Sequence, residues 1–168
     1  CHRLRQIGAP ESLLRTQEAI ANIRTLSSRQ TAVALLRELR TTLADITFGE
    51  SAFCRTIDEV QNYVKSYEAV LYKAPWSCSG RGVFSSGLER VRKIIREQGG
   101  IAVEPFYAHE QDFAMEFYCR ADAVVYEGSS VFRTDAAGHY QGNLLDDQAR
   151  LQAHLNVASE HLTLVRKQ

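Results

Sequence analysis

The chain has 168 residues, 45% hydrophobic and 24% charged, and its twenty basic side chains balance its twenty acidic ones. A composition of this kind can bury a core and excludes a disordered chain. Zero formal net charge excludes a bulk electrostatic footprint for nucleic acid or an anionic membrane.

No run approaches the roughly 18 apolar residues that a membrane helix needs. The opening Cys1-His2-Arg3-Leu4-Arg5 lacks the apolar stretch of a signal peptide. Met115 is the only methionine, so an excerpt from a longer polypeptide is expected. Cys1, Cys54, Cys78 and Cys119 are widely spaced, with no CxxC pair. Reduced thiols in a cytoplasmic protein are the expected state. The basic residues are sixteen Arg and four Lys.

The first 45 or so residues read as helical. Ala9-Pro10-Glu11 has the form of a start signal, with Leu13, Leu14, Ile20 and Ile23 as a partial apolar stripe. Ser27-Ser28 precede a second helix whose Val33, Leu36, Leu39 and Leu43 recur at three- and four-residue spacing. Thr56-x-x-Glu59 is a capping box for a short helix through Val60 and Val64. Glu68 to Ala74 reads as a strand ending at Pro75. Ser86-x-x-Glu89 is a second capping box, and Leu88, Val91, Ile94 and Ile95 point inward along its helix to the stop at Gly99-Gly100.

Beyond Gly100 the period becomes extended. Ile101-Ala102-Val103 is a short buried strand, and Pro105 is expected to end its pairing because it has no N–H. Asp112 to Tyr118 alternates as a strand does. Val124 to Thr134 and His139 to Leu145 flank the turn-prone Asp135-Ala136-Ala137-Gly138 and predict a hairpin. From about Asp146 a final helix is expected, with Leu151, Leu155, Ala158, Leu162 and Val165 on one face. The class is α+β rather than a regular βαβ array.

The chemistry concentrates in Lys73-Ala74-Pro75-Trp76-Ser77-Cys78-Ser79-Gly80-Arg81-Gly82. A Lys at a strand end supplies a point charge for phosphate oxygens. The glycines let backbone N–H groups approach an anion, and Ser77 and Ser79 add hydroxyl donors. The segment is neither a Walker A loop nor a Rossmann fingerprint, and a solvated surface turn is the competing reading. Downstream, Glu104-Pro105-Phe106 ends a buried strand where backbone groups can meet a planar base. Asp112 stands where a carboxylate can accept from sugar hydroxyls.

Taken in order, these segments resemble the ATP-grasp family over roughly residues 27 to 145. Arg29 opens a helix 44 residues before Lys73, where the family has a basic residue that contacts ATP phosphates, commonly Lys. Lys73 and the 77–82 loop match the second basic residue and the flexible loop that closes over the phosphates. Val103-Glu104-Pro105-Phe106 matches the strand that presents an acidic residue and backbone to adenine, and Asp112 matches the acidic residue that takes the ribose. KAPWSxSGRG…VEP…DFAMEF resembles an uncharacterised bacterial branch of that superfamily.

The resemblance implies two α+β lobes with a nucleotide cleft between them. Residues 1–26 would be an N-terminal helical segment, 27–102 the first lobe with the phosphate loop, and 103–168 the hinge and an incomplete second lobe. It implies ATP as cofactor, and ATP-dependent carboxylate activation with ligation to an amine or another nucleophile. The binding set implied is Arg29, Lys73, Ser77, Ser79, Gly80, Arg81, Gly82, Glu104, Pro105, Phe106 and Asp112. Magnesium is implied too, but the family's Glu-x-Asn metal motif is absent, so its ligands are expected outside this segment. The implied partners are a nucleotide and a small-molecule acceptor, with an oligomer open. A non-enzymatic binding or assembly module on the same scaffold is the alternative, and a plain structural domain a third.

Other residues carry less. Trp76 divides evenly between a lid contact and a packing anchor. Glu116 and Arg133 read as a solvated sheet face. His154 and His161 share a helix face with no third metal ligand near in sequence, and His109 and His139 fall in or beside turns. Cys78 has no His partner for covalent work. Asp146-Asp147 reads as a helix cap.

Overall fold

A computed structural model of the chain describes residues 2–45, 47–77, 80–108, 111–135 and 140–154. The helical start divides into α1 (His2–Gln6), α2 (Gln17–Leu26) and α3 (Arg29–Thr42). Pro10 begins only a three-residue 3₁₀ turn, Glu11–Leu13, and not the predicted helix. Leu13 stays exposed, so nothing rewards continuing that turn. Helix α2 starts at Thr16, whose hydroxyl accepts from the Ala19 amide at 3.0 Å. Helix α3 starts at Ser28, a buried cap that accepts from the Gln30 amide at 3.2 Å. Val33 is its buried residue, as the apolar spacing predicts.

The first sheet is antiparallel throughout, in the order β1-β4-β2-β3, with β1 Ala52–Cys54, β2 Val70–Lys73, β3 Val83–Phe84 and β4 Ile101–Pro105. Helix α4 (Ile57–Val64) follows β1 and α5 (Leu88–Gln98) follows β3. The alternation of β4 decides its two faces. Ile101 and Val103, fully buried, join Cys54, Val60, Val70, Val91 and Ile94 in the core. Ala102 and Glu104 point to the opposite face, toward α3, on the same side as Lys73.

The Thr56 capping box forms as expected: its hydroxyl accepts from the Glu59 amide at 3.2 Å, and Glu59 accepts from the Thr56 amide at 3.3 Å. Thr56→Ala is expected to cost about 1 kcal/mol of stability, read from a urea titration. The second predicted box does not form. Gly87, in the left-handed region at φ +109°, takes the cap position of α5, with no side-chain cap. Leu88 is correspondingly exposed, whereas Val91 and Ile94 are buried. Gly99 closes the helix at φ +78°, as predicted.

Pro105 does not end the pairing of β4. It lies opposite Val70, and the Phe106 amide still donates to the Ala69 carbonyl at 2.9 Å. This places Pro105 at a non-hydrogen-bonded position with respect to β2. On its other side β1 begins only at Ala52, opposite Val103, so no ladder bond needs the missing N–H.

The second sheet is β5-β6-β7, again antiparallel: Asp112–Cys119, Val124–Thr134 and Tyr140–Leu144. Helix α6 (Gln148–His154) packs on β6. Gln148 accepts from the Ser129 amide at 2.7 Å and donates to its carbonyl at 3.0 Å. Asp147 caps α6 through the Arg150 amide at 2.9 Å, the role expected of Asp146-Asp147. Residues 136–139, the helical stripe beyond Leu151, His109, His139, His161, Cys1, Cys78 and Ser79 lie outside the described residues. Cys54 and Cys119 are free thiols, and burial pushes the Cys54 thiol up to about 11. Among the described residues no helix is long and apolar enough to cross a membrane.

Candidate nucleotide site

Helix α3 lies over the polar face of the first sheet, and between them is a cavity of about 150 Å³. Its walls are Arg29, Ala32, Val33 and Leu36 from α3, with Ser51, Lys73, Ala102 and Glu104 from the sheet side. Lys73 ends β2, and its ammonium is ion-paired with the Glu104 carboxylate of the neighbouring β4. The register explains the pair. Lys73 is opposite Ala102 and Leu71 opposite Glu104, so the two charges are diagonal neighbours on one face. Their side chains are 27% and 23% exposed, so each is held partly out of water.

Arg29 is placed by the start of α3. Its guanidinium donates to the Ala74 carbonyl and to the Ser77 hydroxyl, both at 2.9 Å. Its amide donates to the Pro75 carbonyl at 3.0 Å. Burial lowers the guanidinium's pKa from its ordinary value and the field of Glu104 opposes that shift. The first basic residue is therefore tied to the stem of the loop, as well as lining the cavity.

The loop returns on itself. The Ala74 amide donates to the Gly82 carbonyl at 2.9 Å, and the Val83 amide to the Gly80 carbonyl at 2.9 Å. Gly80 turns at φ +73°. Gly82 is buried against Ser77, and a Cβ there would lie 2.3 Å from the Ser77 Cβ. Gly82→Ala is expected to spread the stem and cost about 1–3 kcal/mol, measured by denaturant unfolding. Arg90 of α5 holds the far side, donating to the Arg81 carbonyl at 2.9 Å. Arg81's own side chain is exposed and lines no part of the cavity.

Trp76 is a packing anchor. Its indole N–H donates to the Arg24 carbonyl at 2.8 Å, the Arg24 guanidinium sits 4.0 Å from the ring centroid, and its amide donates to Gln98 at 3.3 Å. This ties α2 to the loop.

The structure thus brings Arg29, Lys73 and Glu104 to one cavity, with Ser77, Gly80 and Gly82 in the adjoining loop. Pro105 is buried behind it and Phe106 is 56% exposed. Asp112 opens β5 in the second sheet, accepting from the Thr134 hydroxyl at 2.6 Å, and is not among the residues lining this cavity. Glu116 accepts from Ser130 at 2.9 Å on an exposed stretch of that sheet. Sequence reasoning did not single out Ser51 or Ala102 as cavity walls. The period of β4 points Ala102 the same way as Glu104, whereas nothing local marks Ser51.

No family model and no curated protein matches this chain. Among solved structures, it is similar to N5-carboxyaminoimidazole synthetase from Staphylococcus aureus complexed with ADP, with a TM-score of 0.52 and 10% identity over 78% of this chain. D-alanyl-alanine synthetase A from Vibrio cholerae O1 biovar eltor str. N16961 also matches, with a TM-score of 0.40 and 13% identity over 78% of this chain. The chain spans 36% of the first structure's length and 46% of the second's. The fold is ATP-grasp-like and α+β, as the sequence resemblance implied.

Proposed function

We propose that this chain is the ATP-binding part of an ATP-grasp enzyme that activates a carboxylate and joins it to an amine or another nucleophile. The observation that carries this reading is the cavity in which Lys73, Arg29 and Glu104 converge beside the loop stem that the Ala74–Gly82 hydrogen bond closes. In this reading residues 27–102 form the first lobe, 103–168 the hinge and part of the second, and 1–26 a helical segment before them. At about 150 Å³ the cavity is smaller than the roughly 300–1,000 Å³ that encloses a whole ligand, so it takes the phosphate end of the nucleotide.

Each residue has a task. The Lys73 ammonium exchanges part of its pairing with Glu104 for phosphate oxygens. Arg29 aims Ser77 and the stem, and its charge adds to the field on the phosphates. Ser77, Ser79 and the 80–82 backbone cover them, which excludes water and strengthens every charge interaction inside. Such chemistry is mainly positioning and charge neutralisation. At the hinge, Pro105 has no N–H and that of Phe106 is spent on Ala69, so adenine meets the Glu104 carboxylate and the exposed Phe106 ring. Asp112 accepts from the ribose as it accepts from Thr134.

The described residues do not fit a magnesium site. None of their His, Cys, Asp and Glu side chains gather in threes, and Glu104 is already paired with Lys73. No step is assigned to a metal here.

Calorimetric titration tests the proposal. ATP and ADP are expected to bind one per chain, and adenosine much more weakly because it lacks the phosphates. Equal affinity for adenosine and ADP, or no binding heat from either nucleotide, would remove the function.

A further inference from the structure

Helix α2 has ten residues and none of them is buried. A helix of that length is marginal in water by itself, so what holds its ends decides whether it forms. The last carbonyls of a helix have no partner within it. Here the Arg24 carbonyl accepts from the Trp76 indole N–H at 2.8 Å, and the Thr25 carbonyl accepts from the Thr31 hydroxyl of α3 at 2.7 Å. Among the described residues, the indole bond is the only hydrogen bond that joins α2 to the first sheet and its loop. The Arg24 guanidinium completes the clamp, 4.0 Å from the ring centroid. Trp76 itself lies within the stem. Pro75 before it accepts from the Arg29 amide, and Ser77 after it accepts from the Arg29 guanidinium. The Trp76 amide donates to Gln98 at the end of α5 at 3.3 Å. A cavity of about 410 Å³, walled in part by Thr31, Phe53 and Arg55, runs beside the indole, so the ring has room to leave the clamp.

We propose that α2 is a strap whose docking, through Arg24 and Trp76, holds the loop stem in the form that takes nucleotide phosphates. Arg24 and Trp76 are positioning residues. Neither lines the phosphate cavity, and both act through Ser77 and Arg29. The strap has two states. Docked, the indole caps α2, and residues 74–77 keep their bonds to Arg29. Released, α2 loses the donor at its end and frays. Trp76 and Ser77 then gain freedom that a bound nucleotide must remove again. Linkage of this kind is reciprocal, so a nucleotide that fixes the stem also fixes α2. The part that concerns nucleotide rests on the proposed ATP-binding function, whereas the tie between α2 and the stem stands apart from it.

The test uses the full chain and reads amide hydrogen exchange, calorimetric ADP affinity and the emission of Trp76, the only tryptophan. Ala21→Pro breaks α2 at an exposed residue that belongs to neither the clamp nor the cavity. Arg24→Ala opens the clamp, and Arg24→Lys keeps a cation for the ring. Without nucleotide, Ala21→Pro and Arg24→Ala are expected to red-shift the emission and to speed exchange of the Ala74 and Trp76 amides at least about threefold. In the unsubstituted chain ADP, but not adenosine, is expected to slow exchange across α2 at least about threefold. Ala21→Pro and Arg24→Ala are expected to weaken ADP about fivefold, with Arg24→Lys between them and the unsubstituted chain. Stem exchange that Ala21→Pro leaves unchanged overturns the tie between α2 and the stem. So does exchange that quickens equally at Ile101 and Val103, because the variant has then loosened the whole core. Normal ADP binding with α2 exchange unaltered, or variants that bind ADP like the unsubstituted chain, overturn the linkage alone. No ADP heat from the unsubstituted chain removes the ATP-binding function and the linkage with it.

Discussion

Ile101→Ala is expected to lower the stability of the chain by about 2–5 kcal/mol, the range for emptying a large aliphatic side chain from a closed core. Ile101 is completely buried and begins β4, which pairs with β1 on one side and β2 on the other. Its side chain belongs to the cluster that joins β1 and β2 to α4 and α5. Collapse around the vacated space would have to move elements on both sides of the strand, so little of the loss is recovered. Urea unfolding followed by circular dichroism measures it. A change under about 1 kcal/mol would show that the core is not centred on this strand.

The second large effect is on binding. Lys73→Ala is expected to weaken ADP by about 1–3 kcal/mol, roughly five- to 150-fold in Kd, the contribution of charge-assisted bonds to phosphate. Removing the ammonium also leaves the Glu104 carboxylate, 23% exposed, without its ion-pair partner, so a loss of binding by itself would be ambiguous. Adenosine resolves it. With no phosphate to meet, its affinity should stay within about twofold of the unsubstituted chain's. Lys73→Arg should recover part of the loss, because charge is retained while the geometry changes. Calorimetry on these variants separates a phosphate contact from a general collapse of the site.

Much of the site's framework is legible in the residues themselves. The alternation Ile101, Val103 against Ala102, Glu104 states which side of β4 is core and which is polar. Thr56 and Glu59 announce a cap that forms. The spacing of Val33 and Leu36 identifies the side of α3 that meets the sheet. Where reading failed, a local rule met a competitor. Ser86 has the pattern of a cap, but Gly87 adopts a left-handed backbone and takes the position first. Pro10 looks like a helix start, but Leu13 stays exposed and does not reward continuing the turn. Pro105 looks like a stop, yet it falls where β4 needs no N–H.

Arg29 shows a different limit. Its charge and distance from Lys73 are visible in the sequence. That its guanidinium is committed to Ala74 and Ser77 is a property of the folded stem. The relation of Asp112 to the cavity depends on how two sheets are disposed, which no local pattern encodes.

The most direct measurement is a crystal structure of this chain with ADP. The account predicts phosphate oxygens within hydrogen-bond distance of the Lys73 Nζ and of the amides in the 77–82 loop, with Arg29 still bonded to Ser77. Phosphates bound away from Lys73, with its pairing to Glu104 intact and the loop empty, would contradict it.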